Sequence, residues 1–226
     1  MPANRIVIAI DGPAGSGKST TARLVAEKLH FLYIDSGAFY RAVTLQVIRH
    51  RINLDDRIKL EKMLQETNIR LENAANGLTV FLNEEDVTQK IRSTEVTGLV
   101  SQVSEHELVR QEVTKQLRDI SRHHSVVLDG RDIGTVVFPD AQVKIYLEAS
   151  ITERAKRRLQ ELTANGATLS STAIEKDIVR RDKIDSQRKI APLKKAEDAI
   201  VLETTDLSVE EGVDFIVNKA REIMNH

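Results

Sequence analysis

The stretch Gly12-Pro13-Ala14-Gly15-Ser16-Gly17-Lys18-Ser19 decides the fold of this chain. It satisfies G-x-x-x-x-G-K-[ST], the phosphate-binding loop of the Walker A type. Its glycines let the backbone curl so that successive N–H groups point at a polyphosphate. In such a loop Lys18 reaches the β- and γ-phosphates, and the Ser19 hydroxyl binds Mg²⁺. The stretch therefore predicts a Mg²⁺-assisted polyphosphate site.

The residues on either side of this loop have the patterns of a strand and a helix. Arg5–Asp11 is a short run rich in β-branched residues, which is typical of a buried parallel strand. One helix face follows at the spacing i, i+3, i+4 and i+7, formed by Ala22, Val25, Ala26 and Leu29. Backbone amides and the helix dipole favour an anion at such a junction. A glycine-rich turn without a ligand is the alternative that this pattern leaves open.

Composition limits the classes of protein to consider. The chain has 226 residues, which is enough for one core and an insertion. Its net charge is −1, which predicts no strong attraction to nucleic acid or to an anionic membrane. It has no cysteine, which excludes disulfides, cysteine-ligated zinc and thiol catalysis. Met1–Arg5 lacks the pattern of a signal peptide, and no apolar run reaches membrane-spanning length. We therefore expect a soluble cytoplasmic protein.

The rest of the chain alternates strands and helices, with one interruption. Apolar runs predict strands at Phe31–Ile34, Ser125–Asp129, Val143–Leu147 and Ala199–Leu202, and a closing helix that buries Val209, Val213, Ile216, Val217, Ala220 and Ile223. Residues 54–124 differ, because they predict a helix, a hairpin with its turn at Asn73–Gly77, and two further helices. No Pro-rich or Gly/Ser-rich linker flanks this block. We interpret it as an insertion or small subdomain.

Polar residues follow several of the predicted strands, at the edge where open α/β sheets bind ligands. Asp35-Ser36-Gly37 ends the second strand. Asp129 ends the third, in the manner of a Walker B carboxylate close to Mg²⁺ or its water shell. Gly130–Thr135 places an Arg-Asp pair between two glycines directly afterwards. These stretches indicate a second set of ligand contacts, although each taken alone is compatible with a simple turn.

Two later helices carry the arginines that suggest a polyanion. Arg154, Arg157 and Arg158 share one flank of their helix with no intervening acid to pair them, an unfavourable arrangement unless an external polyanion binds there or the face is simply solvated. In the next helix one stripe changes from apolar to charged along Ile174, Ile178, Arg181, Asp185 and Arg188. A helix with such a face is expected to leave the core and line a cleft.

A phosphate-binding loop alone is compatible with kinases, switch GTPases, ATPases and nucleotide-binding partners. The N-K-x-D motif that reads guanine is missing, and a remodelling ATPase would need a longer chain. A hydroxyl acceptor requires a positioned carboxylate as base, whereas a phosphate acceptor is already an anion and requires guanidinium groups. The many arginines therefore favour a kinase whose acceptor is a phosphate.

Four motifs, in this order, give the chain a resemblance to the bacterial cytidylate (CMP) kinases over essentially its full length. They are Ile10–Thr20, Asp35–Arg41, Asp129–Val137, and Arg181-Asp182 with Asp185, Arg188 and Ala191-Pro192-Leu193. The visible departure is Phe39, where a smaller or more flexible apolar residue is common; it affects packing. The resemblance implies an α/β fold, namely a three-layer P-loop kinase with a parallel core sheet, a nucleoside-monophosphate-binding insert and a helical lid.

The resemblance also implies roles for individual residues. ATP would be bound by Gly12, Pro13, Ala14, Gly15, Ser16, Gly17, Lys18, Ser19 and Thr20, with Mg²⁺ held by Ser19 and, through water, by Asp129. The CMP phosphate would be held by Arg41, Arg131 and Arg188. Cytosine would be read by Ser36, Arg110 and Asp132. The ribose would be faced by Ser101, Arg181 and Asp185, and the same acceptor site would include Tyr40. The catalytic set would be Lys18, Arg131 and Arg188 together with the lid arginines Arg154, Arg157 and Arg158.

A single domain over residues 1–226 is the organisation implied by the same resemblance. Its core would comprise about 1–54, 125–150 and 197–226, its insert about 55–124 and its lid about 151–196. The expected reaction is Mg²⁺-assisted transfer from ATP to CMP or dCMP by a monomer that has neither nucleic-acid nor membrane partners. The alternatives are a P-loop kinase for UMP or a hydroxyl metabolite, and a nucleotide-dependent binding protein.

Overall fold

The computed structural model of the chain describes residues 5–74, 77–164 and 170–224. It divides into two units, one formed by Met1–Tyr33 and His123–His226 and the other by Ile34–Arg122. The strands are β1 (Val7–Asp11), β2 (Leu32–Asp35), β3 (Ile69–Ala74), β4 (Gly77–Leu82), β5 (Glu85–Asp86), β6 (Val126–Gly130), β7 (Val143–Glu148) and β8 (Ile200–Glu203). The helices are α1 (Lys18–Leu29), α2 (Ser36–Arg49), α3 (Arg57–Gln65), α4 (Thr94–Glu105), α5 (Glu107–Ile120), α6 (Ile151–Ala164), α7 (Ser171–Gln187) and α8 (Val209–Met224).

A five-stranded parallel sheet in the order β2-β6-β1-β7-β8 is the centre of the first unit; β2 crosses the boundary to the second. Its middle strands are buried on both faces, and Ile8, Ile10 and Leu128 are among the completely buried side chains. Strands with helices on both faces are expected to be continuous apolar runs, as these are. The predicted parallel α/β fold is confirmed.

The register of this sheet brings the polar strand ends together. In the pairing of β1 with β6, Ile10 lies opposite Asp129 and Asp11 opposite Gly130, and in the pairing of β1 with β7, Asp11 lies opposite Tyr146. The carboxyl ends of the three central strands therefore form one edge, at which both the phosphate-binding loop and the segment after Asp129 begin.

Helix α8 packs against α1 and β7 through a narrower face than predicted. Val213, Ile216, Val217 and Ala220 are buried as expected. The prediction is wrong for Val209 and Ile223, which are 43% and 40% exposed. They lie in the first and last turns of the helix, where a side chain has neighbours on one side only.

The second unit contains α2 to α5 and the antiparallel sheet β3-β4-β5. In β3 and β4 the buried residues Ile69, Val80 and Leu82 alternate with more exposed ones, and Ile69 pairs with Leu82. The predicted hairpin is confirmed, but its strands continue through Ala74 and Gly77. The predicted turn also includes Ala75-Asn76, which lies outside the described residues.

Unit two includes α2 as well as residues 55–122, and residues 151–196 belong to the same unit as the sheet. The arrangement as core, insert and lid stays a prediction. Within the described ranges, no helix combines the length and the apolar character required to cross a membrane.

Candidate active site

The phosphate-binding loop has the backbone that its glycines permit. Gly12 has a φ of +152°, and a Cβ there would lie 2.2 Å from the carbonyl oxygen of Leu147, so no side chain fits. Gly17 caps α1 in the left-handed region with a φ of 91°. Lys18 follows as the first residue of α1, so the loop ends at a helix N-terminus, where free amides favour an anion.

Lys18 is only 5% exposed. Its Nζ donates to the carbonyl oxygen of Pro13 at 2.6 Å and to Ser16 Oγ at 3.3 Å. Burial and the nearby charge of Arg131 lower the pKa of Lys18 to about 7, while Asp129 and Asp11 act in the opposite direction. Its charge at neutral pH therefore depends on which anions are close to it.

Ser19 and Asp129 form the oxygen pair that the sequence predicted as a metal site. Ser19 Oγ donates to Asp129 Oδ2 at 2.8 Å, and Tyr33 OH donates to Asp129 Oδ1 at 2.9 Å. Hydroxyl and carboxylate oxygens are suitable Mg²⁺ ligands, and this ion commonly takes one or two protein oxygens with phosphates and water. The pair fits Mg²⁺. Tyr33, which orients the carboxylate, was not predicted from the sequence.

Asp11 connects the end of β1 to the segment that follows β6. Its carboxylate accepts hydrogen bonds from the backbone N–H groups of Ile133 at 2.8 Å and Gly134 at 2.7 Å. Burial raises its pKa to about 6, although these two hydrogen bonds act against the rise. Sequence reasoning did not single out Asp11; the signal available was an acid at the end of a buried strand directly before the loop.

Arg131, Asp132, Asp185 and Arg188 lie together and are called here the arginine cluster. Arg131 Nε is 2.8 Å from Asp185 Oδ2, and Arg188 Nη2 is 3.2 Å from Asp132 Oδ1. The side chains of Asp132 and Arg188 are each only 4% exposed. Arg188 Nε also donates to the carbonyl oxygen of Ala191 at 2.6 Å. Arg188 Nη1 also lies 3.9 Å from Asp185 Oδ1, so residues far apart in the sequence form one network of charged side chains, in which Arg131 is 27% exposed.

The three arginines of α6 each have an acidic partner, so the prediction that they are unpaired is wrong. Arg157 Nε is 3.1 Å from Glu153, and Arg158 Nη1 is 2.7 Å from Glu161. These acids lie one turn away on the same helix, at a spacing that permits pairing. Arg154 pairs across to Asp182 on α7, a tertiary contact that no spacing on α6 indicates. Their expected contact with ATP stays a prediction.

Arg157 also contacts the phosphate-binding loop. Its Nη1 donates to the carbonyl oxygen of Ser16 at 3.3 Å, and its Nη2 to that of Thr204 at 2.6 Å. Arg181, on α7, is half-buried and lies 3.1 Å from Asp177. Neither Asp182 nor Thr204 was predicted as a site residue.

The second unit holds the other predicted acceptor residues, and the structure brings two of them together. The guanidinium carbon of Arg110 lies 5.2 Å from the centre of the Tyr40 ring, a cation–π contact. Arg110 Nη1 donates to the carbonyl oxygen of Ser104 at 3.0 Å. Ser36 begins α2, which Asp35 caps by accepting the Ala38 N–H at 3.0 Å.

Arg41 and Ser101 complete this set. Arg41 lies one turn beyond Gly37 on α2, and a Cβ at Gly37 would be 3.0 Å from Arg41 Nη1. Ser101 is half-buried on α4, and its carbonyl oxygen accepts a hydrogen bond from Ser104 Oγ at 2.9 Å.

A Walker A loop at the carboxyl edge of a parallel sheet, with a Ser–Asp oxygen pair and buried arginines, defines a P-loop kinase. The sequence profile of the family described as Cytidylate kinase matches residues 8–222. A cytidylate kinase of Geobacillus sp. (strain WCH70) is 51% identical over 97% of this chain and 98% of the relative. The cytidylate kinase of Bacillus subtilis (strain 168) is 46% identical over 94% of this chain and 95% of the relative. The chain belongs to the cytidylate kinase family.

One solved structure resembles the fold at low sequence identity. An uncharacterized protein from Eubacterium ventriosum ATCC 27560 has a TM-score of 0.56 and 12% identity, covering 97% of this chain and 99% of that chain. At this identity the likeness concerns the fold alone.

Proposed function

We infer that this protein transfers the γ-phosphoryl group of ATP to the phosphate of CMP and so produces ADP and CDP. The observation that carries this inference is the arginine cluster, which lies in the same unit as the phosphate-binding loop of a chain from the cytidylate kinase family. The charges of Arg131 and Asp185 affect the pKa of Lys18, so the loop and the arginine cluster interact electrostatically. A donor and an acceptor that are both polyanions require such an arrangement.

The chemistry of the acceptor explains why arginines predominate. The phosphate of CMP is largely a dianion at neutral pH, so its attacking oxygen carries no proton and needs no general base. The barrier is the repulsion between two anions, which guanidinium groups and Lys18 reduce by stabilising charge on the transferred group. We assign Arg41, Arg131 and Arg188 to the CMP phosphate, and the loop residues 12–20 to ATP.

Base and sugar recognition are assigned to the remaining acceptor residues. Ser36, Arg110 and Asp132 would read cytosine, because its amino donor and ring-nitrogen acceptor suit a carboxylate and a guanidinium group. Uracil would present a carbonyl to the carboxylate and leave buried charge unpaired. Ser101, Arg181 and Asp185 would face the ribose, and Tyr40 would support Arg110 through the observed cation–π contact. We extend the proposal to dCMP.

Mg²⁺ belongs to the proposal because Ser19 and Asp129 fit it. Ser19 would hold the ion directly and Asp129 through water, and the bound ion would neutralise charge on the phosphate oxygens. Among the described residues no group of three or more His, Cys, Asp and Glu side chains could hold a metal. The proposal further includes a cytoplasmic monomer that acts on small molecules and not on nucleic acid or membranes.

An acceptor series tests the function. ADP release is measured with ATP and Mg²⁺ against CMP, dCMP, UMP, AMP and a set of hydroxyl metabolites, and the product is identified by chromatography. We expect CDP and dCDP, with the highest kcat/KM for the cytidine nucleotides. Higher turnover of UMP or of a hydroxyl acceptor, or ATP binding without any transfer, would contradict the proposal.

A further inference from the structure

Asp182 is a carboxylate for which the proposed reaction has no role. It lies on α7, between the acceptor residues Arg181 and Asp185, yet its contacts are to the phosphate-binding loop. Asp182 Oδ1 accepts the backbone N–H of Ala14 at 3.0 Å, and Oδ2 accepts from Arg154 Nη1. A helix assigned to the acceptor is thereby attached to the loop assigned to the donor.

Arg154 completes a closed ring with these two groups. Its Nη1 also donates to the carbonyl oxygen of Ala14 at 3.0 Å, so the Asp–Arg pair holds a donor and an acceptor of the same loop residue. Its Nε donates to the carbonyl oxygen of Ala149 at 3.1 Å, which fixes the guanidinium group to the end of β7. We call Asp182, Arg154 and the backbone of Ala14 the Ala14 clamp.

The packing of the clamp leaves little freedom to the loop. Arg154 is only 6% exposed. A Cβ at Gly15 would lie 3.0 Å from the carbonyl oxygen of Arg154, so the loop runs directly against α6. Hydrogen bonds to charged groups are stronger than neutral ones, and loss of one partner leaves a buried charge uncompensated.

We propose that the Ala14 clamp positions the phosphate-binding loop for ATP, and that Arg154 acts through the loop rather than on the transferring phosphoryl group. Arg154 Nη1 donates to both the carbonyl oxygen of Ala14 and Asp182, and Nε donates to the carbonyl oxygen of Ala149, so these two nitrogens are directed at the loop, α7 and the end of β7. The proposal rests on the proposed function in that ATP is the donor. It divides α7 into a residue that acts on the donor, Asp182, and neighbours that act on the acceptor.

The experiment compares two variants of Asp182. Asp182→Ala removes both contacts, and we expect the Kd for ATP, measured by calorimetry without CMP, to rise about tenfold to a hundredfold. Asp182→Asn keeps an oxygen for the Ala14 N–H, and a rise of about threefold to tenfold is expected. The KM for CMP should stay within about twofold in both. Glu175→Gln, two turns earlier on α7, is the matched control, and Asp185→Ala should instead raise the KM for CMP.

A double variant tests the role of Arg154. Once Asp182→Ala has broken the clamp, adding Arg154→Met should lower kcat at saturating ATP by no more than about threefold, because the two changes remove one unit. An arginine that contacts the transferring phosphoryl would instead contribute about 10³-fold to 10⁵-fold. A loss of that size, or an unchanged Kd for ATP in both Asp182 variants, would overturn the clamp. Weakened ATP binding in a protein that fails to phosphorylate CMP would refute the proposed function and support the clamp.

Discussion

The phosphate-binding loop and the arginine cluster both serve to bind phosphate, but they are built in different ways. The loop is one contiguous stretch whose shape comes from backbone geometry, as the position of Gly12 against Leu147 shows. The cluster consists of side chains separated by 54 and 56 residues, held in place by carboxylates. The phosphate-binding loop is therefore recognisable from a local sequence pattern, whereas the arginine cluster forms only when the chain has folded.

Charge is also handled differently in the two regions. The loop holds one buried cation, Lys18, whose pKa is lowered to about 7 by burial and by Arg131. In the cluster, Arg131 and Arg188 each have a carboxylate partner. Paired arginines can be buried without losing their charge, whereas the lysine retains its proton only when anions are close. The charge of the loop thus depends on its ligand, whereas the charges of the cluster are held in place by the protein before a ligand binds.

The largest effect is expected from removing the cation of the loop. Lys18→Ala should lower kcat by about 10³-fold or more, because the charge developing on the transferred group loses its main loop partner. Lys28→Ala is the control, since Lys28 lies on the same helix but is exposed and pairs with Asp214. Turnover by initial rates and folding by thermal melting give the comparison. Near-normal turnover with an intact fold would show that the loop is not the donor site.

The sequence predicted the features that depend on local pattern, and it missed those that depend on contacts between distant parts of the chain. The strand–loop–helix unit at residues 5–29 and the Ser19–Asp129 pair were predicted, because a local motif and the parallel-sheet edge determine them. The paired state of Arg154 was not, because its partner Asp182 comes from another helix. The same applies to Asp11, which acts through backbone amides of a distant segment. Tertiary ion pairs and hydrogen bonds to remote backbone leave no periodic signal.

The resemblance named the acceptor residues but did not predict their pairing. It assigned Asp132 to the base and Arg188 to the phosphate, whereas the structure shows these two side chains 3.2 Å apart and buried together. No property of either residue in the sequence indicates that contact. If both assignments hold, one ion pair joins recognition of the base to recognition of the phosphate.

A smaller effect is expected when that ion pair is weakened. Asp132→Asn keeps the shape of the side chain but removes its charge, so the contact with Arg188 is no longer an ion pair. We expect kcat/KM for CMP to fall by about tenfold to a hundredfold and discrimination against UMP to decrease, while the Kd for ATP stays unchanged. Asp140→Asn, an exposed position shortly before β7, is the control. If the KM for ATP alone rises, Asp132 does not read the base.

The smallest expected effect is the uptake of a proton when ATP binds, and it distinguishes the phosphate-binding loop from the arginine cluster directly. With a pKa of about 7, Lys18 is mostly neutral at pH 8 in the free protein, and the phosphates of ATP should raise that pKa. ATP binding at pH 8 should therefore take up between about 0.5 and 1 proton, because a group whose pKa rises on binding gains protons at a pH between its two values. Asp11, with a pKa of about 6, is already ionised there.

Calorimetry at pH 8 in buffers of different ionisation enthalpy measures this uptake. Lys18→Arg should abolish it, since the guanidinium group keeps its charge throughout this range. CMP binding should show a smaller buffer dependence, because its phosphate meets arginines that are already charged and acts on Lys18 only through the field of Arg131. Equal proton uptake with ATP and with CMP would mean that the two regions do not differ in how they hold charge. A clearly larger uptake with ATP than with CMP would show that the loop gains its charge on binding while the cluster holds its charge beforehand.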